Sequence, residues 1–235
     1  MDNVFCLWRK LVKEGKQSSM DYRKTVVAPS ILASDFAYLA DSVNRVNASG
    51  ADWIHCDVMD GHFVDNISFG PAFVEAVSRH AKLPLDVHLM ITRPDHYFPR
   101  FAKFVHSITS HVEADHEVSE TLAAVRDAGC LAGLAVSPPT SINAIKPYLG
   151  EFDILLVMTV NPGFGGQPFM EEMLEKVRTA ATWREEQHLD FQIEVDGGIN
   201  PGTSELSRAA GANILVAGTS VFKAADMAAE VKALR

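Results

Sequence analysis

The chain has 235 residues, 47% hydrophobic and 22% charged, with a net charge of −9, which suits one sizeable core or two small ones. The acidic balance and the lack of a long Lys/Arg run argue against a nucleic-acid or anionic-membrane partner, because both need a basic footprint. No stretch approaches the roughly 18 apolar residues of a membrane span, and charge interrupts "MDNVFCLWRKLVKEGKQSSM" too often for a signal-peptide core, so the expectation is a cytoplasmic protein.

Residues 1–22 are modestly basic and include a second methionine, Met20. They read as an N-terminal extension or an upstream start, with flexibility the expectation, while Asp2 and Glu14 weigh against a transit peptide. Three cysteines occur, Cys6, Cys56 and Cys130. An odd number without CxxC spacing indicates reduced thiols rather than a disulfide framework or a thiolate metal site.

From Val26 onward, short apolar runs alternate with longer amphipathic ones, eight of each. The runs read as strands are Val26–Ser30, Trp53–Val58, Leu85–Leu89, Ser107–Val112, Leu131–Val136, Ile154–Met158, Gln192–Asp196 and Ile214–Ala217. Between them, "FAYLADSVNRV", "GPAFVEAVSRH", "VSETLAAVRDAG" and "PFMEEMLEKVRTAATWREEQ" carry helical periodicity. Eight such units predict an α/β protein, a single (β/α)8 TIM barrel of parallel strands over residues 23–235. A doubly wound open sheet is the competitor, but it has no need of eight repeats, and no GxGxxG follows the first strand.

In a barrel, functional residues collect at the C-terminal strand ends. "HCDVMDG", "DVHLM", "MTVNPGFGGQ", "EVDGGIN" and "VAGTS" stand there, after strands 2, 3, 6, 7 and 8. Alternation along strand 2 puts His55, Asp57 and Met59 on one face and Ile54, Cys56 and Val58 on the other. The polar face is expected to point at the barrel axis and the apolar one to pack under helices, which leaves Cys56 a structural role. The same parity aligns Asp86, His88 and Met90 in strand 3, and Glu194 and Asp196 in strand 7.

Two imidazoles and two carboxylates thus converge, and bare buried charge is strongly unfavourable without a counter-ion. A divalent cation solves this. His and carboxylate ligands suit zinc, manganese or ferrous iron, and tetrahedral zinc would use all four. A lone inward His is more often a hydrogen-bonded core residue, so it is the joint placement on three strands that points to a metal. Asp86 and Glu194, one inward step deeper, are expected to accept the second imidazole proton of His88 or His55. The glycine clusters after strands 6, 7 and 8 favour a phosphorylated ligand on backbone amides.

The motifs "VAPSILASDF", "HCDVMDGHFV.N", "DVHLM", "SHVEA", "MTVNPGFGGQ.F", "EVDGGIN" and "VAGTSVF" resemble the ribulose-phosphate 3-epimerase family from Val26 to the C-terminus. The resemblance implies a TIM barrel that interconverts D-ribulose 5-phosphate and D-xylulose 5-phosphate with one divalent metal ion (zinc, ferrous iron or manganese), through proton transfer at C3 and an enediolate. Carried over position by position, His55, Asp57, His88 and Asp196 match metal ligands, and Asp57 and Asp196 match the catalytic acid/base pair. Ser30 and His88 match substrate contacts, and Gly165, Gly166, Gly197, Gly198, Gly218 and Thr219 match phosphate-binding loops. Met59, Met90 and Met158 match apolar residues around the reacting carbons, although an inward Met commonly only fills core gaps.

Asp65 departs from the family's usual proline, which suggests a less rigid loop or a negative charge near the substrate. A homo-oligomer is expected from the resemblance alone. Two rivals remain: a 3-epimerase of a ketohexose phosphate such as D-allulose 6-phosphate, and a non-catalytic barrel that only binds a sugar phosphate. The second predicts loss of an acid/base Asp, yet both are present. A Schiff-base aldolase is disfavoured, since no Lys stands at the C-terminal end of an inner strand.

Overall fold

Short strands rich in Val, Ile and Leu, each buried along almost its whole length, form one parallel sheet. The computed structural model describes Tyr22 and residues 24–235. The expected N-terminal extension therefore lies outside the described residues apart from Tyr22, and so does Cys6. The strands are β1 (Val26–Pro29), β2 (Ile54–Met59), β3 (Leu85–Met90), β4 (Ser107–His111), β5 (Leu131–Val136), β6 (Ile154–Met158), β7 (Gln192–Asp196) and β8 (Ile214–Ala217).

The hydrogen-bonded order is β1-β8-β7-β6-β5-β4-β3-β2, parallel throughout. Between β1 and β2, the amides of Asp52 and Trp53 both donate to Val27 O, and Ser30 bridges His55. These contacts bring the two ends of the sheet together into the expected (β/α)8 barrel.

Four strands match the predicted bounds and four differ at their ends. β1 stops at Pro29 because Ser30 starts a 3-10 turn, Ile31–Ala33, with its hydroxyl accepting from the Leu32 amide. β2 runs one residue later than predicted, β3 one residue longer, and β4 ends at His111.

The helical layer is less regular than the strands. Helices Leu39–Ala48, Pro71–His80, Val118–Asp127, Leu174–Glu186 and Pro201–Ala210 follow the predicted periodicity. After β3 there is only Pro94–Tyr97 and the 3-10 turn Phe98–Arg100, and after β5 only the 3-10 segment Ile142–Tyr148. Pro99 and Pro147 lie in those stretches and cannot donate a backbone hydrogen bond.

The outward strand faces, Ile54, Cys56 and Val58 among them, join the main core beneath the helices. Cys56 and Cys130 are both buried, and Cys130 Sγ donates to Ala102 O at 3.3 Å. Inside the barrel, Val26, Ala28, Trp53, Leu131, Ile154, Ile214 and Val216 form a separate apolar cluster. That cluster plugs the N-terminal end, so the polar residues above it open toward the C-terminal mouth alone.

Candidate active site

Register places the polar groups. β2 and β3 pair His55 with Asp86 and Asp57 with His88, while β7 brings Glu194 and Asp196 from across the barrel. His55 Nδ1 donates to Asp86 Oδ2 at 2.7 Å and lies 3.4 Å from Glu194 Oε1. Its Nε2 faces Asp57 Oδ1 at 3.2 Å. His88 Nδ1 stands 3.2 Å from that same oxygen and 3.6 Å from Asp196 Oδ2. Ser30 Oγ donates to the other Asp57 oxygen at 2.5 Å.

The ligand-type atoms of His55, Asp57, His88 and Asp196 all lie within 4.8 Å of one another. Atoms about 2.0–2.2 Å from a tetrahedral ion are roughly 3.3–3.6 Å apart, so the observed spacings fit a single divalent cation. His55, Asp86 and Glu194 form a second such group that shares His55. Its Asp86 is also held by Ser107 Oγ at 2.6 Å, which suits a supporting layer under the first group. The expectation for His55 thus holds, but the second nitrogen of His88 meets neither carboxylate predicted for it. It meets His111 Nε2 at 2.8 Å.

Burial penalises an imidazolium at His55, but Asp57 and Asp86 outweigh it and raise the pKa well above the ordinary value. At His88 burial is likewise overcome by Asp196 and Asp57, which push the pKa up to about 9. Burial would raise Asp57, yet His55 and His88 hold it well below the usual carboxylate range. Asp196 is raised, by burial and by the charge of Asp57. Two carboxylates pushed in opposite directions at one site are the arrangement that acid/base work requires. Glu194 is pushed up to about 8 by burial and by the charge of Asp86. The Cys56 thiol is raised by burial on the helix-facing side, which agrees with a structural role.

A cavity of about 340 Å³ opens above this cluster. Its wall contains Ser30, Asp57, Asp196, Met59, Met90, Met158 and every glycine named from the sequence, together with Thr219. His55 and His88 are fully buried and do not line it; His88, expected also as a substrate contact, lies behind the wall. Met59 and Met90 pack with Val64, and Met158 with Ala135, Leu156 and Val160. Asp65 is exposed and outside the cavity wall.

The loops are tied to one another. Asn66 Nδ2 donates to Gly163 O at 2.6 Å, and Gln167 Nε2 donates to Asn161 O and Phe164 O, both at 2.7 Å. Gly197 and Gly198 have φ of +120° and +67°, conformations that favour glycine. A Cβ at Gly197 would lie 2.4 Å from Val160 Cγ2, and one at Gly198 2.7 Å from Phe169 N. Lys223, not singled out in the sequence, is the one Lys or Arg in the cavity wall among the described residues.

His111 and Glu113 were also missed, although parity along β4 would have found the first: Ser107, Thr109 and His111 alternate just as His55 and Asp57 do. Burial lowers the His111 pKa to about 4. Glu113, in spite of burial, is lowered to about 2 by hydrogen bonds from His111 and Thr140.

Fold and site together define a class: a (β/α)8 barrel with a metal-competent His/carboxylate cluster beneath a glycine-walled cavity. The chain belongs to the Ribulose-phosphate 3 epimerase family, whose model matches residues 26–222. It is 46% identical over 211 residues to the ribulose-phosphate 3-epimerase of Bacillus subtilis (strain 168), an alignment that spans 89% of this chain and 97% of the relative. A relative named ribulose-phosphate 3-epimerase, cytoplasmic isoform, from Oryza sativa subsp. japonica is 41% identical over 89% of this chain and 92% of its own length. Among solved structures, KGPDC from Streptococcus mutans superposes with a TM-score of 0.66 at 14% identity, covering 90% of this chain and 95% of that one. At that identity the likeness bears on the barrel alone.

Proposed function

We infer that this chain interconverts D-ribulose 5-phosphate and D-xylulose 5-phosphate by inverting C3 through an enediolate. The observation that carries the mechanism is that Asp57 and Asp196 line one cavity, one carboxylate lowered in pKa and the other raised.

Inversion removes the C3 proton from one face of the sugar and delivers another to the opposite face, so two positioned acid/base groups are the least that will serve. Asp57, on β2, and Asp196, on β7, reach the cavity from different sides. Asp57, whose pKa is lowered, takes the proton from one epimer, and Asp196, whose pKa is raised, delivers one to the other face; the reverse reaction exchanges their roles. Ser30 holds Asp57 through its second oxygen and so keeps the first turned toward the histidines.

His55, Asp57, His88 and Asp196 would hold one divalent cation, with zinc, ferrous iron and manganese all suited to the donors. Bound there, it supplies Lewis-acid stabilisation of the charge that develops on the C2 and C3 oxygens. The phosphate sits among Gly165, Gly166, Gly197, Gly198, Gly218 and Thr219, where missing side chains let backbone amides approach an anion. Met59, Met90 and Met158 keep water from the reacting carbons.

No helix among the described residues is long and apolar enough to cross a membrane. We place the enzyme in the cytoplasm as a homo-oligomer with no nucleic-acid partner, in keeping with its acidic charge and the cytoplasmic relative. A coupled assay of metal-analysed protein on D-ribulose 5-phosphate and D-allulose 6-phosphate tests the reading. Preference for the pentose, lost with chelator and regained with metal, supports it. Preference for the hexose overturns the substrate, and no turnover of either overturns the activity.

A further inference from the structure

Behind the proposed ligand His88 runs a second line of polar groups that inversion at C3 does not use. His88 Nε2 is 2.8 Å from His111 Nε2, and the rings stack at 4.9 Å between centroids. His111 Nδ1 is 3.1 Å from Glu113 Oε2 and 3.2 Å from Ser137 Oγ. Glu113 Oε1 accepts from the Ser137 amide at 2.8 Å. Lys176 Nζ in turn donates to the carbonyls of Ser137, Pro138 and Thr140 at 2.7–2.9 Å, which fastens the loop that carries Ser137.

Two ring nitrogens 2.8 Å apart can share one proton only, so the tautomer of His111 dictates that of His88. A carboxylate beside His111 Nδ1 demands a proton on that nitrogen, because a bare lone pair facing an anion repels it. In a neutral ring His111 Nε2 is then the acceptor, and His88 must donate to it from Nε2. His88 Nδ1 can then turn a lone pair toward a cation seated against Asp57 and Asp196; in the absence of that cation the two carboxylates would hold a proton there. The opposite polarity would put a proton on His88 Nδ1, where the ion is to bind.

We propose that Glu113 and His111 are positioning residues which fix the tautomer of His88, so that its Nδ1 is presented as a ligand to the cation site. This rests on reading His88 as a ligand. Neither His111 nor Glu113 lines the cavity, so their influence passes through His88. The line also explains how the chain orients His88 without a carboxylate, whereas His55 has Asp86.

Three variants separate this role from simple packing. His111→Gln keeps an amide oxygen to accept from His88 and an NH2 group to donate to Glu113; His111→Phe keeps the ring and removes both. In zinc-loaded protein, nitrogen-15 NMR should find the wild-type His111 proton on Nδ1 and the His88 proton on Nε2. Zinc affinity, measured by competition with a chromophoric chelator, should fall about 10- to 100-fold in His111→Phe and stay within about threefold of wild type in His111→Gln. Equal losses in the two variants, or a wild-type affinity in His111→Phe, would overturn the proposal.

Glu113→Gln carries the same test where His111→Phe does not fold. Its neutral amide accepts either polarity, so the His111 proton should populate both nitrogens and zinc affinity should drop. An unchanged tautomer with wild-type affinity in that variant also overturns the proposal. Wild-type protein that takes up no zinc would overturn the reading of His88 as a ligand and the relay with it, which distinguishes the two failures.

Discussion

Asp57 and His88 are register partners across β2 and β3, and Asp57 Oδ1 lies 3.2 Å from His88 Nδ1. The same oxygen is 3.2 Å from His55 Nε2, so one carboxylate atom serves both imidazoles. Parallel pairing fixes this convergence, since a one-residue slip would turn Asp57 toward the helices.

Replacing the two carboxylates proposed as acid and base should separate chemistry from phosphate binding. Asp57→Asn and Asp196→Asn should each lower kcat by about 10²- to 10⁴-fold or more, while affinity for inorganic phosphate stays near wild type. Metal content must be measured beside the rate, because both residues belong to the cation cluster. Phosphate affinity lost in step with kcat would place the carboxylates in binding instead.

Gly198→Ala should harm stability and phosphate binding together. At φ +67° with Phe169 N 2.7 Å from the new Cβ, the substitution strains the backbone by about 1–2 kcal/mol before any clash. In a barrel of this size that lowers Tm by roughly 2–8 °C, with a raised KM and a smaller change in kcat. An unchanged Tm and KM would show that the loop relaxes freely.

Cation binding should release protons. His55 is raised well above its ordinary value by Asp57 and Asp86, and His88 is raised to about 9 by Asp196 and Asp57, so an entering cation competes with a proton for the lone pairs of these rings. Affinity for zinc should therefore climb as pH rises toward about 9. Calorimetry in buffers of different ionisation enthalpy should register proton release on binding. Binding with no buffer dependence at pH 7 would mean that the rings are already neutral.

His106 gives an acid limit remote from the cavity. Burial lowers its pKa to about 4, against weak opposition from Asp86 and Asp153, and its ring meets Trp53 edge-on at 5.2 Å. Between the unfolded value near 6.5 and the folded value near 4, the unfolded chain binds more protons. This contribution is therefore present above pH about 6.5 and lost as pH falls. Urea unfolding at pH 7 and 4.5 should show wild type losing about 2–3 kcal/mol more than His106→Phe. Identical losses would remove His106 as a cause.

Strand parity made much of the site legible. His55, Asp57, His88 and Asp196 converge because alternation and register are local rules, and each strand carries its own apolar signature. What local patterning left hidden was long-range. The Asn66 to Gly163 bond joins residues 97 apart in sequence, and the approach of His88 to His111 depends on how the inward faces of β3 and β4 meet. Asp86 and Glu194 serve His55, one of the two rings they were expected to serve, while the partner of His88 escaped because depth along a strand was readable but the neighbour around the barrel was not. The weak helices after β3 and β5 escaped because tertiary packing tolerates 3-10 turns there.

Running turnover of D-ribulose 5-phosphate in D2O, with metal-loaded wild-type protein and NMR of the product, tests two-base transfer at C3 most directly. The predicted result is D-xylulose 5-phosphate carrying one deuterium at C3 and none at C1 or C4. Product that keeps its original hydrogen at C3 would contradict proton exchange between solvent and the Asp57/Asp196 pair.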